Sequence, residues 1–179
     1  MRATTLLVTA AIVLLSSCNS KKSEYDPYKI SGSKNKKEVS KTAFEVDFKR
    51  TASNLKTIHI NLNGNNSYDA IFDTGCSGVL ISVQEANDMI KQGTLIPIRD
   101  EKGYAGAKIA DGSETLNKVF KLQEVTVMDK NGQPHTLRDI YAMMASDISA
   151  EILIGSSVID NLAKKSYTVD LKRNVIRFE

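Results

Sequence analysis

Asp73 stands out among the residues that could do chemistry, because it follows an apolar run and precedes a tight turn. Residues 70–82 read AIFDTGCSGVLIS, with apolar residues on both sides of the turn. An isolated buried carboxylate is costly, so a carboxylate carried out of a hydrophobic strand needs a partner. A carboxyl group held there could take up or release a proton as a general base or acid. The simpler interpretation is an Asp that caps the backbone of its own turn.

Cys76 is the second reactive side chain in this stretch. A nucleophilic cysteine requires a histidine base placed by the fold. The chain has two histidines, and we expect both at the surface, because His59 lies on the polar side of a strand and His135 follows a hairpin turn. Cys76 is therefore predicted to be a packed thiol. Neither a metal nor a cofactor is predicted, because no Cys/His cluster, paired-His motif or acidic loop has metal-site spacing.

The elements that position these residues are predicted to be mainly strands. Apolar residues alternate in AFEVDFK and TIHINLN, at residues 43–49 and 57–63, which is strand periodicity. The dipeptides Asn63-Gly64 and Asn131-Gly132 each separate two such runs and predict hairpins. A third hairpin is expected near the C-terminus, with its turn at residues 172–174.

Two helices are predicted among the strands. Ser82 and Glu85 have capping-box spacing, and Gly93 is a natural end for the helix that they begin. A shorter helix is expected at residues 156–163. The predicted fold class is therefore mainly β, a closed or partly closed barrel with one or two short helices.

The order of three motifs resembles that of the retropepsin-like aspartic proteases. An apolar strand leads into Asp-Thr-Gly-Cys-Ser, a later hairpin contains Ala110-Asp111-Gly112 as the family's flap does, and Leu153-Ile154-Gly155 matches the family's apolar-apolar-Gly signature. A short helix and a closing hairpin follow. The resemblance runs from about residue 57 to the C-terminus, and it implies an acid-protease barrel.

The resemblance implies an aspartic endopeptidase with Asp73 as its catalytic residue. Hydrolysis by water requires both a base and an acid, and two carboxylates about 3 Å apart can supply both by sharing one proton. No second Asp-Thr-Gly or Asp-Ser-Gly occurs in the chain. The family's short members contribute one such motif per subunit, so a homodimer is implied, with an Asp73 from each chain at the two-fold axis.

Roles for the neighbouring residues follow from the same resemblance. Thr74 would hydrogen-bond across the axis, Gly75 would allow close backbone approach, and Ser77 would support the carboxylate. The hairpin segment Ala110, Asp111 and Gly112 would close over a peptide or protein substrate. Leu153, Ile154 and Gly155 would brace the Asp73 loop, residues 73–78, from inside.

The alternative is a catalytically silent barrel that serves as a binding or assembly module at a membrane surface. The Asp-Thr-Gly loop could be kept for its hydrogen bonds alone, and a monomer with one Asp73 would have no carboxylate pair. Asp111, Asp160 or Asp170 could complete a pair within a monomer. The sequence gives no reason to choose among these three.

The N-terminus predicts export. Arg2 followed by ATTLLVTAAIVLL is typical of a secretory signal, and the apolar run is shorter than the roughly 20 residues that a spanning helix needs. Leu-Ser-Ser-Cys at residues 15–18 resembles the lipobox of bacterial lipoproteins, which implies lipid on Cys18 and a place in the bacterial cell envelope, on the periplasmic or surface side of a membrane. A plain secretory signal and a Cys18–Cys76 disulfide are the alternatives.

The predicted organisation is a signal peptide at residues 1–17, a tether at 18–41 and one domain at 42–179. The tether has seven Lys against three acidic residues and few large apolar groups. The basic charge of the chain therefore belongs to the tether, where it can meet anionic lipid headgroups. Nucleic-acid binding is not predicted, because no basic face has interleaved aromatic residues.

Overall fold

The structure, a computed structural model, describes residues 43–64, 66–108 and 112–179. The predicted signal peptide, Cys18 and the tether lie outside these residues. The described elements are β1 (Phe44–Arg50), β2 (Lys56–Leu62), β3 (Asn66–Phe72), β4 (Val79–Ile81), α1 (Val83–Lys91), α2 (Pro97–Asp100), β5 (Glu101–Lys108), β6 (Glu114–Met128), β7 (Pro134–Met144), β8 (Leu153–Ile154), α3 (Ser156–Ala163), β9 (Tyr167–Asp170) and β10 (Val175–Phe178).

The strands form one sheet that closes on itself. Neighbouring strands follow the order β5-β6-β7-β4-β8-β3-β2-β1-β10-β9, and β6 also pairs with β2. The extra pairing closes a ring of hydrogen-bonded strands that is irregular rather than an even barrel. The predicted fold class, mainly β with short helices in a closed or partly closed barrel, is confirmed.

The three predicted hairpins are present. Asn63 and Gly64 connect β2 to β3 with φ values of 48° and 90°, which these residue types tolerate better than others. Gly132 lies in the turn between β6 and β7 with a φ of 74°. The last turn, between β9 and β10, ends at Asn174, whose φ is 54°.

Both predicted helices are present, and a third one was missed. The Ser82 hydroxyl accepts from the Glu85 backbone N–H, and the Glu85 carboxylate accepts from the Ser82 N–H at 2.8 Å, so the capping box that begins α1 is complete. The second predicted helix corresponds to α3 with the expected bounds. The missed helix is α2, a single turn with Pro97 at its start.

Apolar side chains from the inner faces of the strands and from α1 and α3 fill the ring. This main core includes Ile58, Leu62, Ile81, Ile154 and Phe178, all of them fully buried. A smaller cluster of Ala105, Val119 and Met143 joins the β5–β6 hairpin to β7.

No helix in residues 43–64, 66–108 and 112–179 is long and apolar enough to cross a membrane.

Candidate functional site

Asp73 lies at the end of β3, where the chain leaves the sheet. Its backbone N–H donates to the Ile154 carbonyl at 3.0 Å, and its carboxylate Oδ1 accepts from the Gly75 N–H at 2.9 Å. Asp73 is half-buried, whereas Thr74 and Gly75 are exposed. The turn-capping hydrogen bond is thus present, and no described residue donates a hydrogen bond to Oδ2. This oxygen is free to act on a molecule at the surface of the loop.

The two strands that flank the Asp73 loop are held apart by β8. Leu153 and Ile154 pair in parallel with Ile71 and Phe72 of β3, and in antiparallel register with Leu80 and Val79 of β4. The segment that was predicted to brace the loop therefore lies between the strand that enters the loop and the strand that leaves it.

Gly155 lies directly beneath the loop, where a larger residue has no room. A Cβ at this position would come within 2.3 Å of the Cys76 carbonyl oxygen and 2.4 Å of the Gly78 carbonyl oxygen. Both neighbours are backbone atoms, so no side chain can move aside to make space. Close contact between the loop and the start of α3 thus depends on a glycine here.

The carbonyls of the loop also cap the start of α3. Gly155 N–H donates to Gly78 O at 2.9 Å, Ser156 N–H to Cys76 O at 2.8 Å, and Ser157 N–H to Ser77 O at 3.1 Å. The first N–H groups of a helix have no partner within the helix itself. The loop therefore satisfies these donors, and α3 in turn fixes the backbone of the loop.

Cys76 is packed into this arrangement. Its thiol is half-buried and donates to the Gly78 carbonyl at 3.3 Å. Burial raises the pKa of the Cys76 thiol and outweighs the hydrogen bond to Gly78, which lowers it, and the negative charge of Asp73 adds a smaller increase. The thiol is the unreactive form of cysteine, so these surroundings favour a packing role over nucleophilic attack.

The two histidines have acidic partners away from the Asp73 loop. His59 is exposed, as predicted, and its Nδ1 lies 3.1 Å from an oxygen of Asp69. The prediction for His135 was wrong, because only 4% of this residue is exposed. Its ring stacks on Phe44 with 3.5 Å between centroids, and its Nε2 lies 3.3 Å from Asp129.

The Asp129–His135 pair supports the turn between β6 and β7. Burial alone would raise the pKa of Asp129, but hydrogen bonds from the Gln133 N–H, His135 and the Asn131 N–H outweigh it and hold that pKa below its ordinary value. The buried position of His135 could have been predicted from its spacing, since it shares a strand face with Leu137 two residues later.

The predicted flap hairpin is formed by β5 and β6. The two strands pair from Glu101 and Phe120 outward to Lys108 and Glu114. Ala110 and Asp111 lie outside the described residues, and Gly112 follows them with a φ of 87°.

A buried carboxylate that the sequence did not predict anchors the base of this hairpin. Asp100, the last residue of α2, is 0% exposed. It accepts from the Arg99 guanidinium at 2.6 and 2.7 Å, from Ile96 N–H at 2.8 Å and from the Gln123 amide of β6 at 3.0 Å. Burial raises the pKa of Asp100, but the Arg99 hydrogen bonds and charge and the Ile96 N–H lower it by more, so the net pKa lies below its usual range.

Neither Asp160 nor Asp170 has a bond to Asp73, and Asp111, the third acid considered for a pair within one chain, lies outside the described residues. Asp160 is exposed on α3. Asp170 accepts from the backbone N–H groups of Lys172 and Arg173 in the last hairpin turn. Within the described ranges, no group of three or more His, Cys, Asp or Glu side chains could hold a metal ion.

Comparisons with known proteins identify the fold. No protein-family model and no curated protein matches the sequence. Among solved structures, the chain is similar to a retropepsin-like aspartic protease from Rickettsia conorii, with a TM-score of 0.50 and 15% identity over 76% of this chain and 90% of that one. It also matches basic 7S globulin from soybean, with a TM-score of 0.46 and 13% identity over 82% of this chain and 44% of that one.

The chain therefore has a retropepsin-like fold, as its motif order predicted. At 15% identity, the likeness to the Rickettsia conorii structure establishes the fold and leaves the activity to be argued from the site.

Proposed function

We propose that this protein is an aspartic endopeptidase whose catalytic centre combines Asp73 from two copies of the chain. The observation that carries the proposal is the Asp73 carboxylate, which lies at the open end of β3 in a retropepsin-like fold. One oxygen is fixed by the Gly75 N–H at 2.9 Å, and the other accepts no hydrogen bond from the described residues. A second carboxylate beside it would complete an acid–base pair.

The proposed reaction needs only the two carboxylates and a water molecule. One ionised Asp73 takes a proton from water, whose oxygen attacks the carbonyl carbon of the peptide bond. The other Asp73, which is protonated, donates its proton to the carbonyl oxygen. When the intermediate collapses, the Asp73 that is now ionised takes a proton from one of its hydroxyl groups, the C–N bond breaks, and the other Asp73 gives its proton to the leaving nitrogen, so that the pair again shares one proton.

The remaining assignments belong to the same proposal. Thr74 and Ser77 support the loop, and the hairpin tip at Ala110, Asp111 and Gly112 covers a peptide or protein substrate. Lipid on Cys18 and the Lys-rich tether hold the protein at a membrane of a bacterial cell envelope.

A cleavage assay on the full chain in mild detergent tests the activity. We expect a quenched-fluorescence peptide library to be cleaved at mildly acidic pH, and pepstatin to inhibit the cleavage. Asp73→Asn should lower kcat by roughly 10²- to 10⁴-fold, the usual contribution of a general acid or base. Asp160→Asn is the matched control, because Asp160 is an exposed carboxylate on α3, and it should keep full activity.

One observation favours the silent binding or assembly module as a second candidate. The hydrogen bonds from Gly155, Ser156 and Ser157 give the Asp73 loop a structural role that requires no catalysis. A chain that is strictly monomeric at working concentration, and that shows no pepstatin-sensitive cleavage, would support this candidate. Full proteolysis by Asp73→Asn would disprove the proposed mechanism.

A further inference from the structure

Two neighbouring hairpin turns lie at the same end of β1. One turn, residues 51–55, connects β1 to β2, and the other, residues 171–174, connects β9 to β10. Phe48, near the end of β1, pairs with Ile58 of β2, and its N–H donates to Asn174 O at 2.9 Å. The last residues of β1 therefore have β2 on one side and the second turn on the other. This arrangement separates the two turns by two strand spacings, or about 10 Å.

The turn surface, which we define as residues 48–57 and 171–174, is basic. It contains no Asp or Glu. Its five basic residues are Lys49, Arg50, Lys56, Lys172 and Arg173. Residues 42–179 as a whole have more Asp and Glu than Lys and Arg. The turn surface therefore concentrates positive charge on a domain whose formal charge is negative.

Two of the five basic side chains are paired with acids. Lys49 Nζ lies 3.6 Å from Asp69 Oδ2, and the Arg173 guanidinium donates to the two oxygens of Glu45 at 2.7 and 3.0 Å. Among the described residues, the other three basic side chains have no ion-pair partner. Their charges therefore remain available to an anion outside the described chain.

Two of these charges face each other across the β1–β2 ladder. Arg50 and Lys56 are directly opposed residues, and like charges in this arrangement are destabilising. The Arg50 guanidinium donates to the side-chain oxygen of Asn54 at 2.7 Å and lies 5.5 Å from the centroid of the Phe48 ring. Neither contact neutralises its charge. A negatively charged group bound in front of the pair would remove the repulsion, so this part of the turn surface favours an anion.

Each of the two turns also exposes a leucine. Leu55 is 41% exposed and Leu171 is 59% exposed. Apolar side chains of this kind enter the boundary between lipid headgroups and acyl chains, while neighbouring Lys and Arg side chains reach the phosphate groups. A protein interface requires a packed apolar core of complementary shape, whereas a lipid surface accepts apolar side chains from separate turns. The combination of positive charge and separate leucines therefore fits an anionic lipid surface.

We propose that the turn surface docks on the anionic headgroups of a phospholipid membrane. This inference rests on the membrane attachment in the proposed function and adds the orientation of the domain. Leu55 and Leu171 enter the headgroup layer, and the basic side chains around them bind lipid phosphates. Because Thr57 of β2 pairs with Ile71 of β3, the Asp73 loop follows a strand that ends beside the turn surface. Docking therefore keeps the proposed catalytic site near the membrane surface.

A single tryptophan tests this contact, because the chain has none of its own. Leu171→Trp is made in the full chain, which is purified from bacterial membranes and reconstituted into vesicles. One set contains equal parts of phosphatidylglycerol and phosphatidylcholine, and the other phosphatidylcholine alone. In the anionic vesicles only, the emission should shift to shorter wavelength and be quenched by lipid brominated on its acyl chains. Sodium chloride at 1 M should weaken the shift, because it shortens the Debye length to about 3 Å. Leu55→Trp is a second probe with the same expected result.

Ile98→Trp is the matched control for the tryptophan probe. Ile98 is 97% exposed on α2. This helix lies at the far end of β2, because Asn63, just after β2, accepts from Gln123 N–H, and the Gln123 amide donates to Asp100 of α2. The seven residues of β2 span about 23 Å, so docking should leave this tryptophan in water in both kinds of vesicle. A shift equal to that of Leu171→Trp would overturn the proposed orientation.

A second variant tests the contribution of charge. Lys172→Glu is added to the Leu171→Trp chain, and it should lower the docking equilibrium constant about fivefold or more, the factor that one basic residue near an anionic lipid surface supplies. Lys108→Glu makes the same change of charge at an exposed residue of β5, and should leave docking unchanged. Emission over a series of phosphatidylglycerol fractions gives both constants. Equal effects of the two variants would overturn the assignment of the turn surface.

The outcomes separate docking from the rest of the proposed function. Flotation of the vesicles on a density gradient shows whether the chain is attached to them. A chain that floats with the vesicles, but whose Leu171→Trp emission stays that of a tryptophan in water, would overturn docking and leave lipid attachment standing. A chain that does not float would overturn both. Docking without pepstatin-sensitive cleavage would support the orientation and overturn the protease.

Discussion

The Asp73 loop and the β5–β6 hairpin differ in how closely the rest of the chain approaches their backbone. Beneath the loop, a Cβ on Gly155 would meet carbonyl oxygens at 2.3 and 2.4 Å. In the hairpin, a Cβ on Gly106 would meet nothing within 4 Å, and the side chains of Tyr104 and Leu116 are 50% and 71% exposed.

This difference reflects how each of the two regions is held by the rest of the chain. The loop that carries the carboxylate is fixed by backbone hydrogen bonds from β8 and α3, which leave its position little freedom. The hairpin is held at its base by Asp100 and against β7 by the cluster of Ala105, Val119 and Met143, and it presents exposed side chains toward its tip. The backbone of the loop can therefore adjust much less than the backbone of the hairpin tip without disturbing the rest of the fold.

The largest effect should come from filling the space beneath the loop. Gly155→Ala forces the Cys76 and Gly78 carbonyls away and strains the hydrogen bonds that cap α3. We expect the free energy of unfolding to fall by about 3 kcal/mol or more. Urea denaturation measures this change.

Gly106→Ala is the matched control for that substitution. The added methyl group meets open space, so the free energy of unfolding should change by less than about 0.5 kcal/mol. Equal losses for the two variants would contradict the contrast between a closely packed loop and an open hairpin.

A smaller loss is expected at the base of the hairpin. Asp100→Asn removes the charge that Arg99 and Ile96 stabilise, and should lower the free energy of unfolding by about 2 kcal/mol at neutral pH. Asp88→Asn is the control, since Asp88 is a partly exposed carboxylate 3.8 Å from Lys91, and should change stability by less than about 0.5 kcal/mol.

The loss from Asp100→Asn should also depend on pH. Because the folded-state pKa of Asp100 lies below its usual value, the carboxylate contributes stability above its unfolded pKa of about 3.9 and loses that contribution as pH falls through the folded pKa. The difference between the unchanged chain and Asp100→Asn should therefore shrink below about pH 4. Urea titrations at several pH values measure it, and a constant difference would contradict the assigned cause.

The smallest effect should be at Cys76. Burial and the Asp73 charge raise the pKa of the thiol, so less thiolate is present at a given pH. Iodoacetamide should modify Cys76 several-fold more slowly in the folded chain than in urea at pH 8, as followed by mass spectrometry of the Cys76 peptide. Faster modification in the folded chain would show that Cys76 is reactive and would contradict its assignment as a packed thiol. Cys76→Ala should lower the free energy of unfolding by less than about 1 kcal/mol.

Local signals predicted much of the fold. The capping box of Ser82 and Glu85, the Asn-Gly turns and the alternation of apolar residues each act within a few residues. They therefore allowed the three hairpins and α1 to be predicted without reference to the rest of the chain. The single turn of α2 was missed because its four residues, Pro97–Asp100, are too few for apolar periodicity to reveal a helix.

The packing beneath the Asp73 loop and the burial of His135 were not predicted, because both depend on contacts between segments that are distant in sequence. The motif order pointed to a relation between the Asp73 loop and Gly155, but the lack of room for a Cβ on Gly155 depends on β8 lying between β3 and β4. His135 was placed at the surface because it follows a turn, yet the opposite end of the described chain supplies Phe44, which covers it. The partner that completes the Asp73 site stays a prediction.

The pairing of β1 with β10 has a consequence for the order in which the ring can form. Phe44 and Phe178 are partners in this ladder, so β1, which also pairs with the nearby β2, meets β10 only after all the strands between them have been synthesised. Contacts of such long sequence separation slow folding. Until then, the edge of β1 and the inner faces of its neighbours are open to other molecules, and a chaperone that shields them would raise the yield of folded protein.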